Sequence, residues 1–314
     1  CVACGECVQA CPTGALMPSS LVDEKGIGHT EVEKKVDSVC PYCGVGCQLE
    51  YNINDNKISY VNGINGPANE NRLCVKGRFG FDYVNNPERL TKPLIRIKGK
   101  EKNLHPSINF SNIHEHFRET TWEDALDHAA AGILKLRQSD FTNKSSLAGF
   151  GSAKCSNEEA YLFQKLIRTG FKTNNVDHCT RLCHASSVAA LLETIGSGSV
   201  TAPFYEVEHS EVIVVIGANP TENHPVAATF FKNAVKKGAK LIVMDPRGQA
   251  LRKYATHMLQ FKPGADVAMM NSIMNVIIEE GLYNSEYIDD HTLGFEDLKK
   301  ELKSYTPEKM EKIS

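Results

Sequence analysis

Apolar and polar residues alternate with a period of two in Gln48–Asn54 and again in Lys57–Asn62, and Asp55-Asn56 lies between them. This predicts a hairpin of two short, half-buried strands. Further on, Thr121-Trp122-Glu123-Asp124 joins a capping hydroxyl to acids in a first turn, predicting a helix that continues through Ala125–Leu136. The clearest pattern spans Glu211–Arg247. Val212–Ile216 is a continuous β-branched run, which predicts a strand buried on both faces, and Gly217-Ala218-Asn219-Pro220 ends it. Pro225–Lys237 is amphipathic, with Pro225 suited to the first turn and Gly238 to the stop. Leu241–Met244 predicts a second buried strand that closes on Asp245-Pro246-Arg247. Strand, helix and strand in that order imply a crossover, so the later chain is expected to be α/β with a parallel sheet. Asp266–Gly281 adds a helix. Pro18–Ser38 reads as a linker, Arg96–Glu119 as a polar irregular loop, and Ser304–Ser314 as a helix-like stretch that closes no domain.

Composition changes this picture in one respect. The net charge of -3 points to neither a nucleic-acid nor an anionic-membrane surface. No run of about 18 apolar residues predicts a membrane-spanning helix. Cysteine is the exception: of 11, eight fall within the first 74 residues, and the more than two hundred residues that follow hold three. Disulfide scaffolds are short and spread their cysteines evenly, so this distribution argues for reduced thiolates that bind metal. The chain also starts at Cys1, inside a motif, and is expected to be a fragment with more sequence upstream.

Cys1, Cys4, Cys7 and Cys11-Pro12 are spaced C-x2-C-x2-C-x3-C-P. Three close thiolates can wrap one [4Fe–4S] cluster, while the fourth reaches a neighbouring cluster, as in bacterial ferredoxins. Cys40, Cys43 and Cys47, with Cys74 a long step later, read as ligands of another [4Fe–4S] cluster; Gly44 and Gly46 free the backbone between them. Zinc is the alternative for either set, although zinc knuckles usually pair two C-x2-C units across a longer gap.

At Cys40-Pro41-Tyr42-Cys43-Gly44-Val45-Gly46-Cys47 and Leu73-Cys74-Val75-Lys76-Gly77-Arg78 the chain resembles the molybdopterin oxidoreductase family. The similarity continues at Asn175-Val176-Asp177, Arg181-Leu182-Cys183-His184, Gly217-Ala218-Asn219-Pro220 and Asp245-Pro246-Arg247. It implies a ferredoxin-like segment over 1–18, a linker over 19–37, a small β-rich [4Fe–4S] domain over 38–92 and an incomplete, Rossmann-like α/β domain over 93–314. It also implies bis-(molybdopterin guanine dinucleotide) carrying molybdenum or tungsten.

Cys183-His184 implies the formate dehydrogenase catalytic subunit, with Cys183 as metal ligand and His184 as handler of the proton lost from formate. Lys76 would lie between cluster and pterin, where its charge favours electron passage. Cys179, one helical turn earlier, is expected to be structural, and Cys155 a lone thiol. Gly217, Asn219, Glu222 and His224 after one strand, Asp245 and Arg247 after the next, and Gly264 and Asp266 in a further loop would cradle the cofactor, Asp245 meeting guanine and Arg247 pyrophosphate. No G-x-G-x-x-G follows a strand, so NAD, if used, would bind to a separate electron-accepting subunit; a ferredoxin is the other acceptor, and relatives of this kind are cytoplasmic. Two alternatives stay open: an assimilatory-type nitrate reductase, and a pterin-free conduit like the large iron–sulfur subunit of complex I.

Overall fold

The computed structural model describes residues 1–28, 31–100, 102, 107–139, 146–198 and 201–314, in two compact units, Cys1–Ala202 and Pro203–Ser314. In the first unit the predicted hairpin forms: β2 (Gln48–Asn54) and β3 (Lys57–Gly63) pair antiparallel. Asp55 and Asn56 turn the chain at φ 49 and 56, the left-handed pair that matches the twist of flanking strands. A third strand, β1 (Lys34–Val39), joins β2 in register from Lys34 opposite Ile53 to Val39 opposite Gln48. It takes up the end of the stretch that reads as a linker. Five of its six residues are exposed, so no alternation announces it.

The polar stretch 96–119 is tied at its ends. β4 (Leu94–Arg96) pairs antiparallel with β5 (Phe117–Glu119), and a short helix, Ile113–His116, leads into β5. The helix Trp122–Ser139 follows with its expected cap, the Asp124 N–H donating to Thr121 Oγ1 at 3.2 Å. β6 (Gly149–Gly151) and β7 (Val176–His178) then pair in parallel. Between them run the helix Asn157–Lys165 and one π-helical turn, Leu166–Gly170.

In the second unit β8 (Val212–Ile216), β9 (Lys240–Met244) and β10 (His257–Leu259) form the expected parallel sheet, in the order β10-β9-β8. The crossover helix is Ala227–Lys236; Pro225 stands in the turn before it and not in its first turn. Gly238, at φ 111, stops it as expected. Ile213, Val215, Leu241, Val243 and Ala234 pack as one core on this side of the sheet. Met244, Phe261, Ala265 and Met269 form a second core, with the helix Asp266–Glu279 contributing Met269.

β8 departs from its expected burial on both faces. Ile213 and Val215 are buried, but Val212, Val214 and Ile216 are 58%, 51% and 40% exposed. β8 is an edge strand and the second core lies against β9, so one side of β8 has no cover within this unit. The terminal stretch, by contrast, belongs to the unit. Helices Phe295–Leu302 and Pro307–Met310 lie on Asp266–Glu279, Met310 is buried, and the Lys262 N–H donates to Ser314 O at 3.0 Å. No helix among the described residues is long and apolar enough to cross a membrane.

Candidate metal centres and cofactor loops

The first cysteine set wraps a short helix. Cys7 lies within Glu6–Ala10 and Cys11 caps its end; Ala3 and Gly5, at φ 52 and 75, bend the chain ahead of it. The Ala3 N–H points at Cys1 Sγ, 3.5 Å away. The Thr13 hydroxyl, with further help from the backbone at Leu16, holds the Cys11 thiol down to about 7. Donors aimed at sulfur favour the thiolate, which is the form that ligates metal.

The second set is built on the antiparallel sheet. Cys40 follows β1, Cys47 precedes β2, and the Cys40 N–H donates to Cys47 O at 2.9 Å to close the loop that carries Cys43. Cys74 is the N-cap of the helix Val75–Phe79. Asn69, fully buried, ties this loop to the sheet. Its Oδ1 accepts from Gln48 N, and its Nδ2 donates to Gln48 O, Ile64 O and Arg72 O at 3.0–3.2 Å. Burial pushes the Cys47 thiol up to about 12, and Cys40, Cys43 and Cys74 add to the shift; burial, Cys74 and Cys43 likewise raise Cys40. The four sulfurs are therefore close enough to repel one another when charged, a donor set that calls for a strongly positive centre.

Among the described residues no three His, Cys, Asp or Glu side chains converge on a single-ion position. The irons of a cubane cluster occupy a larger body than one ion, each taking its own thiolate. Lys76 is exposed on the helix that Cys74 caps, two residues past it.

β6 and β7 end on a third site. Beyond their carboxyl ends lies a cavity of about 600 Å³ lined by Phe150, Ser152, Phe163, Arg168, Asp177 and His178, among others. Beside it the helix Thr180–Cys183 carries Cys183, with His184 at its end; both are exposed. Asp177 braces this helix, its Oδ2 accepting from Arg181 Nε at 2.9 Å, and Arg181 holds the carboxyl below its ordinary range. The Cys183 N–H donates to Cys179 O at 3.3 Å, so these two thiols stand one turn apart, as the spacing predicts. Cys155 lies on the cavity wall, its Sγ donating to Ser152 O at 3.1 Å.

The second unit gathers the strand-end loops. Gly217, at φ 60, follows β8, and a Cβ there would meet nothing within 4 Å, leaving an open cradle. Asn219 is buried, with Oδ1 accepting from the Thr221 hydroxyl at 2.7 Å. Glu222 and His224 stand on and just after the short helix Pro220–Asn223. Asp245 is 4% exposed, and both its oxygens work inside the loop: Oδ1 accepts from Arg247 N at 2.8 Å and Oδ2 from Gln249 Nε2 at 3.3 Å. The Arg247 side chain is exposed. Gly264 and Asp266 sit in the loop beyond β10 that starts the helix Asp266–Glu279.

Sequence reasoning missed Gln249. It is buried, donates to Ala218 O at 2.7 Å as well as to Asp245, and so joins the loops after β8 and β9; its Oε1 finds no partner among the described residues. An unmatched buried acceptor at the carboxyl end of a parallel sheet suits a ligand donor such as a guanine N–H. Also missed were Asn69 and the β6–β7 cavity. One signal for the latter was present: Ser156-Asn157-Glu158-Glu159 is a capping box, and both of its hydrogen bonds form.

These sites define a class. Residues 89–304 match the model for molybdopterin oxidoreductase, 33–86 that for the molybdopterin oxidoreductase Fe4S4 domain, and 1–17 that for a 4Fe-4S binding domain. The chain belongs to the molybdopterin oxidoreductase family, has α/β architecture, and carries two segments that match 4Fe-4S domain models. It is 40% identical over 281 residues to the F420-dependent formate dehydrogenase subunit alpha of Methanocaldococcus jannaschii, covering 89% of this chain and 38% of that protein. It is 34% identical over 285 residues to formate dehydrogenase H of Escherichia coli, covering 90% and 38%. The solved structure of acetylene hydratase from Pelobacter acetylenicus shares the fold, with a TM-score of 0.73 at 24% identity over 89% of this chain and 36% of that one. The chain thus spans less than two fifths of the length of these relatives.

Proposed function

We propose that this chain is the electron-carrying and cofactor-holding part of a formate dehydrogenase catalytic subunit, which converts formate to carbon dioxide. The observation that carries the reading is Cys183-His184 on the helix just beyond β7, on the side of a parallel strand pair where α/β proteins take ligands. Relatives at 34–40% identity bear the name formate dehydrogenase. Molybdenum or tungsten on two molybdopterin guanine dinucleotides would supply, when bound, the two-electron acceptor that formate oxidation requires.

In this reading the Cys183 thiolate ligates the metal, and His184 takes the proton from the reacting centre and passes it to solvent. Gly217 gives the cofactor close access to the backbone, Gln249 Oε1 accepts from its base, and Arg247 meets its phosphates. Asn219, Glu222, His224, Asp245, Gly264 and Asp266 shape the same loops. Lys76 places a positive charge beside the second ligand set. Cys40, Cys43, Cys47 and Cys74 hold one [4Fe–4S] cluster; Cys1, Cys4 and Cys7 hold another, and Cys11 serves a neighbour. Electrons leave in the cytoplasm to a flavoprotein that binds NAD or to a ferredoxin.

The test is a side-by-side assay of the full-length protein with formate and with nitrate, using an artificial electron carrier. Formate oxidation without nitrate reduction is expected; turnover of nitrate alone refutes the reading. Within the cofactor loops, Gln249→Leu removes a buried bridge of about 1.4 kcal/mol, so the pterin retained after gel filtration should need roughly tenfold milder conditions to stay bound. Pterin fluorescence after denaturation measures it.

A further inference from the structure

One buried charge is left over by this scheme. Arg78 is 3% exposed, and all three guanidinium nitrogens are engaged: Nε donates to Cys4 O at 2.9 Å, Nη1 to Val61 O at 3.3 Å and Nη2 to Glu6 Oε1 at 2.5 Å. These bonds join the segments of both cysteine sets. Cys4 is in the first, whereas Arg78 lies on the helix that Cys74 of the second set caps, its own N–H donating to Cys74 O at 3.1 Å. Glu6 crosses in the other direction, since its Oε1 also accepts from the N–H of Leu73, the residue before Cys74, at 2.8 Å. Gln9 completes the contact: its Nε2 donates to Gly63 O at 2.8 Å and its Oε1 accepts from Gly63 N at 2.9 Å.

The fit leaves no slack. Gly5 sits at φ 75, and a Cβ there would stand 2.3 Å from Arg78 Cδ and 2.7 Å from Phe79 Cζ. A guanidinium is retained in a buried place only where its charge and its donors are matched. Here every acceptor it uses lies beside a cluster-ligand segment or on β3 beneath it.

We infer that Arg78 and Glu6 form a cross-brace that locks the ferredoxin-type segment onto the second cluster domain, which makes Arg78 a positioning residue for electron passage between the two clusters. The inference rests on the reading of both cysteine sets as cluster sites. The brace fixes the separation of the two ligand sets, and the hydrogen bond from Arg78 to Cys4 O gives a short bonded route from one to the other. It explains why an arginine is buried among backbone carbonyls at a place where a methionine of similar length would fill the space.

The experiment uses the full-length holoenzyme carrying Arg78→Met. Iron content and the separate paramagnetic signals of the reduced clusters report whether the clusters are present; the spin–spin splitting between them reports their separation. Proteolysis within residues 12–28 reports how often the segment lifts off. The expected result is full iron and both signals, loss of the splitting, and cleavage faster by roughly tenfold, with Arg78→Lys recovering part of the effect. Splitting and cleavage equal to the parent overturn the brace. Should Arg78→Met fail to take up iron, Glu6→Ala removes the same crossing from its more exposed end, and unchanged splitting there overturns it equally. A parent protein that lacks the two cluster signals refutes the cluster reading itself, a different outcome from a parent with coupled clusters and an indifferent Arg78.

Discussion

Replacing Cys183 by Ser should reduce formate turnover by at least about a thousandfold, on the order of 4 kcal/mol of transition-state stabilisation. The substitution exchanges one atom. A thiol ionises readily to a soft thiolate, whereas a serine hydroxyl is hard and stays protonated near neutral pH, so the proposed second-row or third-row metal would lose its protein ligand. The local fold has little reason to change. Cys183 is exposed, its N–H bond to Cys179 O is made by the backbone, and the brace from Asp177 to Arg181 ends two residues before it. Circular dichroism and iron content should match the parent, while the paramagnetic signature of the metal should shift. Undiminished turnover with an unshifted signature would remove the basis for assigning this cysteine to the metal.

Cys47→Ser should have the second large effect, on electron delivery and not on the chemistry at Cys183. Cys47 is 5% exposed; burial is the main reason its thiol is raised, and the three neighbouring thiols add to it, so its sulfur belongs to a set that must act together. With one of four thiolates gone, the chain should lose about four irons and the signal of that cluster. The ferredoxin-type signal should persist, because Arg78, Glu6 and Gln9 contact Cys4, Leu73 and Gly63 and not Cys47. Reduction by formate should then reach the metal and stop. Formate reducing the ferredoxin-type cluster at the parent rate in this variant would show that the wire bypasses the Cys40–Cys74 set.

The same structure explains why some residues are legible without coordinates and others are not. The spacing of Cys1, Cys4, Cys7 and Cys11, and of Cys40, Cys43 and Cys47, is legible because each set lies within a few residues of local chain. The hairpin Gln48–Asn54 with Lys57–Gly63 is legible because alternation and a two-residue turn are both local. Thr121 as a cap and Gly238 as a stop follow from orphaned backbone groups at helix ends. β1 carries no such mark, since it is an exposed edge strand whose only reason to be extended is its partner β2. β6 and β7 are three residues each, too short for a period to show, and they pair across a separation of 27 positions. The exposed side of β8 is another such case: a run of five β-branched residues looks the same whether one face or two are covered.

The sequence by itself determined the spacing of the cysteines, the hairpin and the crossover that makes the later chain α/β, because spacing, periodicity and turn residues act between near neighbours. Tertiary structure alone decided that Gln249 would present an acceptor unmatched among the described residues, between two strand-end loops, and that Arg78 would meet Cys4 from 74 positions away. Desolvation is the physical reason. A glutamine or an arginine is ordinary on a surface; only after packing removes water from around it does each remaining donor or acceptor demand a specific partner.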